Sequence, residues 1–189
     1  MSRRIGCKNL HYATVTKSEN GQVTYGTPVP IKKLISVKTT DQFAEYTFYS
    51  DDSTEESSRK LTGCEIEIEV GALDNRTKSA LTGITFQDGK LIRKTNDASP
   101  TVALLWEITR SEGDKSEFRV LYRCTLSLKD AENTTIEDSI ESNNMILTGN
   151  AIPDENGVVD LEIYGGDVGA ESIVTNFFKS VVLPTGAGA

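Results

Sequence analysis

The sequence predicts a mainly β protein with two helices, and three observations lead to this fold class. Apolar and polar residues alternate with a period of two along most of the chain, as they do in strands that bury one face. Two segments carry the helical period instead. The chain has 189 residues, a length that suits one domain over residues 1–189 with a core large enough to fold without disulfides.

Three strands and a polar stretch are predicted in the first sixty residues. The segments with strand-like patterns are Tyr12–Lys17, Leu34–Thr40 and Phe43–Tyr49. Residues 51–60 then offer almost nothing apolar to bury, which predicts a mobile loop. The charged residues of this loop are Asp51, Asp52, Glu55, Glu56, Arg59 and Lys60. Its acidic residues lack the spacing and the glycine of an EF-hand loop, so a solvated loop is favoured over a calcium site.

The clearest alternation lies in residues 64–70, where apolar side chains share one face of a strand and three glutamates share the other. The glutamates are Glu65, Glu67 and Glu69. Alternate residues of one strand lie about 7 Å apart in series. The paired carboxylates of a glycosidase instead flank a bond from separate elements. An exposed strand face is therefore favoured over an acid–base site.

A short helix is predicted between Asp74 and Gly83. Aspartate is one of the residues that cap a helix N-terminus by accepting a hydrogen bond from an early N–H group. Ala80 and Leu81 supply the apolar face of this helix, and Gly83 suits the left-handed residue that commonly ends one.

Two strands that form a hairpin are predicted next. Residues 101–106 are apolar without interruption, which is typical of a strand buried on both faces. The turn at residues 111–115 connects this strand to an alternating segment at 118–128. The apolar residues of the second strand are predicted to share one face. They are Phe118, Val120, Tyr122, Cys124, Leu126 and Leu128.

The last third of the chain predicts a polar loop, two strands and an amphipathic helix. Residues 129–144 are poor in apolar residues and predict a second mobile loop, with strands following at Met145–Thr148 and Val158–Tyr164. The helix runs from about Glu171 to Val182. Its apolar stripe consists of Ile173, Val174, Phe177, Phe178, Val181 and Val182. Packing on the protein's own core is favoured for this stripe over docking onto a neighbouring subunit.

Charge and composition exclude several classes of function. The net charge of −8 argues against wrapping nucleic acid, which needs clustered lysine and arginine, although an acidic wall would repel passing phosphates. No apolar run approaches the ~20 residues of a membrane-spanning helix. The N-terminus lacks the apolar stretch of a secretory signal, so we expect synthesis in a cytoplasm and no membrane association.

No catalytic site, metal site or cofactor is predicted. His11 is the only histidine, so every triad, Cys/His pair or His-ligated zinc site would depend on it, and a plain strand residue is favoured. The glycines in residues 164–169 lack the strand–helix frame of a nucleotide site and indicate a turn. Three widely spaced cysteines are predicted to be free buried thiols. They are Cys7, Cys64 and Cys124.

Seven segments, through their order and spacing, carry a family resemblance. They are residues 5–13, 25–28, 48–52, 61–68, 74–83, 96–105 and 118–124. Together they resemble the major tail proteins, or tail-tube proteins, of long-tailed bacteriophages (siphophages) that infect Gram-positive bacteria. The resemblance spans nearly the whole chain. Cys64 stands where the family often has a small residue, and the chain stops soon after the last helix, without the appended surface domain of some relatives.

The resemblance implies a β-sandwich or half-barrel with a flanking helix, and a structural role rather than an enzymatic one. Subunits of the family form rings, with six-fold symmetry expected here, and the rings stack into a tube. Genomic DNA passes through the tube without sequence-specific binding. The implied partners are further copies of the chain, the tape-measure protein and the tail-end proteins, and the implied location is the tail of the virion.

Three site hypotheses follow from the resemblance. Glu65, Glu67 and Glu69 are expected to line the lumen of the tube. The charged loop at residues 51–60 is expected to reach the next ring and to become ordered there, as disordered segments do on binding. The last helix is expected to pack on the sheet near the subunit boundary. Its packing residues are Ile173, Phe177, Phe178 and Val181.

Two other functions compete with this one. A monomeric β-sandwich that binds carbohydrate or protein is the first alternative, and it predicts exposed aromatic side chains along one sheet face. Trp106 and most of the phenylalanines and tyrosines fall instead on apolar faces of the predicted strands. A carboxylate-dependent hydrolase is the weakest alternative, because no pair of acidic residues has a supporting frame.

Overall fold

The computed structural model of the chain describes residues 2–18, 22–50, 53–111, 115–129 and 144–184. Strands account for 56% of the residues and helices for 10%, which confirms the mainly β fold class. The strands are β1 (Arg4–Lys17), β2 (Val23–Tyr25), β3 (Val29–Pro30), β4 (Leu34–Ser50), β5 (Ser53–Val70), β6 (Thr85–Gln87), β7 (Lys90–Ile92), β8 (Thr101–Arg110), β9 (Glu117–Leu128), β10 (Met145–Ala151) and β11 (Asp160–Tyr164). The helices are α1 (Asn75–Thr82) and α2 (Ala170–Asn176).

In the described part of the chain, nine strands form one antiparallel sheet that curls into a half-barrel. The strand order is β2–β1–β8–β9–β10–β5–β4, with β3 paired to β1. Strand β9 pairs with β10 along its second half and with β11 along its first half. The curl brings β4 close to β1. Strands β6 and β7 form a separate small hairpin.

The inside of the half-barrel holds a hydrophobic core that draws on most of the strands. Leu10, Ile68, Leu104 and Leu147 are fully buried there, one each from β1, β5, β8 and β10. Leu81 of α1 is also fully buried in this core. Helix α1 therefore packs against the same core as the strands.

Helix α1 begins and ends where the sequence predicts. The carboxylate of Asp74 accepts a hydrogen bond from the Thr77 backbone N–H at 2.9 Å and one from the Thr77 hydroxyl at 2.8 Å. These bonds favour the charged form and lower the pKa of Asp74. At the other end, Gly83 has a φ of +75° and its N–H donates to the Ser79 carbonyl at 2.9 Å.

A second core lies on the other face of β1, β8 and β9, under the C-terminal segment. Its buried residues are Ala13, Ala103, Leu105, Phe118, Val120, Tyr122 and Phe177. The Tyr122 hydroxyl donates to the Val182 carbonyl at 2.8 Å, which ties the C-terminal segment to the sheet. Strand β8 therefore contributes to cores on both of its faces, as its uninterrupted apolar sequence predicts.

The prediction that the apolar residues of β9 share one face is wrong. Phe118, Val120 and Tyr122 lie in the second core, whereas Cys124 and Leu126 lie in the first, with Leu128 packed against it. The cause is a β-bulge. Its register pairs Val102 with Cys124 but Leu104 with Leu121, so two residues of β9 stand opposite one residue of β8. An extra residue reverses the alternation of faces beyond it.

Residues 53–60 form the first part of β5 rather than a loop, and β4 runs without a break through the two separate strands predicted for it. Residues 53–60 have no apolar side chains that would favour a strand. They are extended because the two strands of the hairpin pair their backbone N–H and C=O groups with each other. Residues 51 and 52 lie outside the described part of the chain, as do residues 130–143 of the second predicted loop.

Helix α2 ends at Asn176, six residues before the predicted end at Val182. The Phe177 N–H donates to the Val174 carbonyl and the Lys179 N–H to the Asn176 carbonyl, so tight three-residue turns replace the helical hydrogen bonds. Ile173 is 37% exposed, whereas Phe177 is fully buried. In the described residues, no helix combines the length and the apolar character that crossing a lipid bilayer requires.

Candidate assembly surfaces

The most prominent surface feature is a two-stranded arm, which we define as residues 43–50 of β4 and 53–61 of β5. The two strands pair with each other as far as Ser50 and Ser53. Strand β5 pairs with β10 only from Cys64 to Val70, so the arm continues past the sheet. Within the described residues, neither strand of the arm has a backbone partner on its outer edge.

Aromatic and charged side chains meet on the arm near its root. Phe43 is 40% exposed and Tyr46 is 54% exposed. The guanidinium of Arg59 lies over the Phe43 ring, 3.9 Å from its centroid, and the Arg59 Nε lies 3.4 Å from a carboxylate oxygen of Glu45. Exposed ion pairs and cation–π contacts of this kind add little stability. In the described structure, the arm therefore presents two partly exposed aromatic rings to the solvent.

Strand β5 carries its three glutamates on the exposed side, as the alternation predicts. Ile66, Ile68 and Val70 between and after them are buried. Each glutamate lies between polar or aliphatic neighbours of β4 and β10, for example Glu67 between Lys38 and Thr148. We call this surface the polar face. It consists of Ser36, Lys38, Thr40, Glu65, Glu67, Glu69, Ser127, Lys129, Ile146, Thr148 and Asn150.

Hydrogen bonds hold the glutamates of the polar face in place. The Gln42 side-chain amide donates to Glu65 at 2.9 Å, and that of Asn144 donates to Glu69 at 2.7 Å. The Lys129 ammonium lies 3.8 Å from Glu67. A shallow cavity of about 330 Å³ lies on this face, between Glu65 and Glu67 and the neighbouring residues of β4, β9 and β10. Three carboxylates and two lysines leave the described polar face with a slight excess of negative charge.

The half-barrel stays open between β4 and the first half of β1. A cavity of about 390 Å³ lies in this opening, lined by Cys7, Val37, Trp106 and Arg119 among others. Ile5 is 66% exposed and Ile35 is 48% exposed beside it. Strand β4 is the last strand of the sheet, so its outer edge has no partner among the described residues. Such edges pair readily with another chain unless they are protected.

A buried ion cluster ties the start of β1 to β9 and β11, and sequence reasoning did not find it. Glu117 has a side chain only 2% exposed, and it forms ion pairs with Arg110 and Arg4. Arg4 also pairs with Glu162. The alternation of the strand does indicate that Glu117 is buried. Glu117 lies four residues before Leu121, so the two side chains are on the same face of the strand, and Leu121 faces the first core.

Arg119 extends the same charged region towards β4. Its Nη2 lies 2.8 Å from the Asp160 carboxylate, and its Nη1 donates to the Thr39 hydroxyl at 3.0 Å. Its guanidinium also lies over the Trp106 ring, 5.8 Å from the centroid. These contacts join β9, β11 and β4 across the opening of the half-barrel. Each charge has a close partner, so the region serves to fix the strands.

Replacing Glu117 with glutamine is expected to lower the free energy of unfolding by about 3 kcal/mol, because it leaves the buried Arg110 without a full counter-charge. Urea denaturation measures the change. Glu162→Gln is the matched control, since Glu162 shares Arg4 as a partner but has a side chain 40% exposed, and its loss is expected to cost less than about 1 kcal/mol. Equal effects of the two variants would contradict the burial argument.

The C-terminal segment packs mainly through its two phenylalanines. Phe177 contacts Phe118, with ring centroids 5.1 Å apart, and Phe178 stacks on His11 at 4.5 Å. Val181 is half-buried against the same core. Of the predicted packing residues, Ile173 is the one that points away from it. His11 is accordingly part of a packed aromatic group, and its Nδ1 lies 2.8 Å from the Asn9 carbonyl.

The three cysteines are free, as predicted, and two are buried. Burial raises the pKa of the Cys64 and Cys124 thiols, which disfavours the reactive thiolate. Within the described residues, no cluster of three or more His, Cys, Asp or Glu side chains has the geometry to hold a metal ion.

The prominent features of the described surface are an arm, strand edges and a polar face. No protein-family model matches this chain, and no curated protein matches it at a significant level.

Proposed function

We propose that this chain is the tail-tube subunit of a long-tailed bacteriophage that infects a Gram-positive host. Copies of the chain form a ring, with six-fold symmetry expected, and the rings stack into a tube in the virion tail. The tape-measure protein and then the genome pass through this conduit. The tail-end proteins close the two ends of the tube.

The observation that carries this proposal is the arm. A two-stranded ribbon is marginally stable by itself in water, and this one extends past its sheet with both outer edges free of partners in the described residues. Its exposed Phe43 and Tyr46 add apolar area. These features suit contact with another copy of the chain. A contact between two different surfaces of identical subunits repeats without closing, which is how a tube grows.

The open edge of the half-barrel supports the ring within the same proposal. Strand β4 offers a free backbone edge, and Ile5 and Ile35 lie exposed near it. Edge-to-edge pairing of neighbouring subunits would bury these groups and continue the sheet around the ring. The polar face then lies on one side of that continuous sheet. Its surplus of carboxylates suits a lumen wall, because DNA phosphates are repelled rather than bound.

The polar face also favours the tube over the monomeric binding module. The residues that define it in the described structure include no aromatic side chain, whereas sugar-binding sheet faces commonly use aromatic platforms. Trp106, the one tryptophan of the sequence, is 3% exposed and packs in the first core. Of the exposed aromatic residues, Phe43 and Tyr46 lie on the arm and Phe86 lies on the small β6–β7 hairpin.

Electron microscopy of the purified protein tests the proposal. We expect rings or tubes in negative stain, and a sedimentation coefficient that increases with protein concentration. The control is the same protein kept dilute in chaotropic salt, which should sediment as a monomer. Particles that remain uniform monomers at millimolar concentration, across a range of salt and pH, would exclude the tube and favour the binding module.

Reversing the charge of the polar face is expected to make tubes retain DNA. In the triple variant with Glu65→Lys, Glu67→Lys and Glu69→Lys, lysines would face phosphates inside the tube. The measurement is the amount of short duplex DNA that assembled tubes protect from nuclease at low salt. Wild-type tubes should protect almost none.

The control for this experiment carries three exposed carboxylates reversed elsewhere, with Glu155→Lys, Asp167→Lys and Glu171→Lys. DNA that binds to the outer surface of the control tubes is expected to stay accessible to the nuclease. Protection by the control and not by the polar-face variant would place the glutamates outside the lumen.

A further inference from the structure

The opening of the half-barrel exposes part of the first core. The cavity of about 390 Å³ in this opening is lined by apolar and thiol side chains, which are Cys7, Ile35, Val37, Trp106 and Ile108. Arg4 and Arg119 also line it, each beside a carboxylate of its own chain. A cavity of this volume can hold at least one aliphatic side chain. Such a side chain, supplied by another molecule, would extend the first core, because Cys7, Val37 and Ile108 already pack against it.

The strand register shows which part of the subunit lies opposite the opening and at about the same height. Cys7 of β1 and Val37 of β4 line the cavity from its two sides. Followed through the strand pairs, Cys7 is in line with Glu117 at the start of β9. Val37 is in line with Leu128 at the end of the same strand. Strands that curl into a barrel are tilted and staggered in this way. Because β9 and β10 lie midway between β1 and β4 in the sheet, the height of the opening corresponds there to the middle of β9, close to Arg123.

Ile152 lies at this position and points outwards. Its N–H donates to the Arg123 carbonyl at 3.0 Å, so it lies beside β9, directly after the end of β10. The preceding residue, Ala151, is fully buried in the first core, and successive side chains of an extended chain point to opposite faces. Ile152 is accordingly 48% exposed. The subunit therefore carries an apolar cavity on one side and an exposed apolar side chain on the opposite side, at about equal heights.

We infer that Ile152 of one subunit enters the opening of a second copy beside it in the same ring. This inference rests on the proposed tail tube and names the two surfaces that meet within a ring. Two different surfaces on opposite sides of identical subunits make a head-to-tail contact, which closes into a ring when the rotation between copies permits it. Their equal heights keep neighbouring copies in one plane. The same contact covers the exposed Ile5 and Ile35 at the rim of the opening.

The native thiol of Cys7 allows a cross-linking test, because Cys7 lines the cavity and is free. In the variant Ile152→Cys, the introduced thiol of one copy lies beside Cys7 of its neighbour. Oxidised glutathione, which takes up the two protons and two electrons, then joins the copies through a disulfide. We expect a ladder of covalent multimers on a non-reducing gel, ending at the ring number. The two thiols of one chain lie on opposite walls of the half-barrel, which is too far for an internal disulfide.

Two control variants identify the thiols that react. Adding Cys7→Ser to Ile152→Cys should abolish the ladder. Ile173→Cys places a thiol at another exposed isoleucine, on α2, and should form no ladder. A ladder that survives Cys7→Ser would show that two introduced thiols meet, which overturns the head-to-tail contact. Assembled tubes of Ile152→Cys that give only monomers after oxidation would overturn the inference as well.

A polar substitution measures the same contact without chemistry. Ile152→Ser removes the side chain that enters the cavity, and we expect it to raise the concentration needed for assembly at least about tenfold. Ile173→Ser is the matched control and should leave that concentration unchanged, while circular dichroism verifies that both variants fold. Normal assembly of Ile152→Ser contradicts the inference and leaves the proposed tube intact. Failure of the wild-type chain to form rings or tubes under any condition would instead refute the proposed function, and the inference with it.

Discussion

Removing the arm is expected to abolish tube growth and to leave the subunit folded. Ala44 and Lys60 are directly paired, so residues 45–59 can be replaced by Asn-Gly, which forms a two-residue hairpin turn. The deletion removes Tyr46 and the Arg59 that covers Phe43. Tyrosine and arginine residues that anchor an interface each contribute about 2 kcal/mol or more. Loss of two anchors raises the critical concentration for assembly by roughly a thousandfold.

Stability of the shortened subunit provides the control for this deletion. The retained part keeps Leu61, the arm residue that packs against the first core. We therefore expect the melting temperature of the monomer to change by only a few degrees. Analytical ultracentrifugation measures assembly, and circular dichroism measures folding. Tubes of normal length and yield from the shortened chain would refute the role of the arm in stacking. A shortened chain that no longer folds would refute the expectation that the subunit folds without the arm.

A double variant tests whether the exposed aromatic side chains or the free strand edges of the arm drive stacking. Phe43→Ser with Tyr46→Ser keeps the length of the arm and both strand edges but removes exposed aromatic area. If apolar contact drives stacking, these substitutions account for most of the loss seen in the deletion. If backbone pairing along the free edges drives it, they have little effect, because the edges remain intact. Either outcome identifies the kind of contact that the next copy makes.

The fold could be predicted from the sequence wherever one face of an element is polar. The alternation in residues 64–70 gives both the strand and the exposed side of Glu65, Glu67 and Glu69 correctly. The cap residues Asp74 and Gly83 fix the ends of α1 because their roles depend on local hydrogen bonds and backbone angles. Such local interactions depend on only a few consecutive residues and can therefore be predicted from the sequence.

The bulge in β9 could not be predicted in the same way. Both faces of β9 are buried around Tyr122, so the sequence stays apolar on either side of the extra residue. A pattern read from the chain alone then continues through the bulge and assigns Cys124 to the wrong core. The pairing of β9 with residues of β8 that lie about twenty positions earlier in the sequence is what reveals the shift.

The arm shows a different limit. A strand in a sheet is predicted from the apolar residues that it can bury, and residues 53–60 contain none. Hydrogen bonding to β4 makes them extended nevertheless. A polar ribbon is therefore mistaken for a loop. Of the charged residues predicted there, Arg59 and Lys60 belong to the arm, and Asp51 and Asp52 lie outside the described residues.

The ion cluster around Glu117 illustrates why the buried charges were missed. Arg4, Arg110 and Glu162 come from β1, β8 and β11, which are distant in sequence. No spacing rule links them. Each one occupies a strand position that would be read as solvent-exposed because it is charged. Only the tertiary fold brings these charges together and makes the burial of Glu117 and Arg110 tolerable.

Placing a charge at Phe177 is expected to unfold the subunit. Phe177 is fully buried between Phe118 and Phe178 in the second core, under the C-terminal segment. Phe177→Asp removes the packing of an aromatic ring, which costs about 3–5 kcal/mol, and buries a carboxylate without a partner. The sum is comparable to the whole stability of a typical domain. We expect loss of the cooperative thermal transition, measured by near-ultraviolet circular dichroism.

Ile173→Asp is the matched control on the same helix. Ile173 is 37% exposed, so a carboxylate at this position stays hydrated and should lower the melting temperature by only a few degrees. The contrast between the two variants also tests where the helix ends. In a regular helix through Val182, both residues would lie on one apolar stripe and both substitutions would be severe. A similar loss of stability in the two variants would therefore favour the longer helix. A large loss in Phe177→Asp alone is the result expected when the helix ends in a tight turn after Asn176.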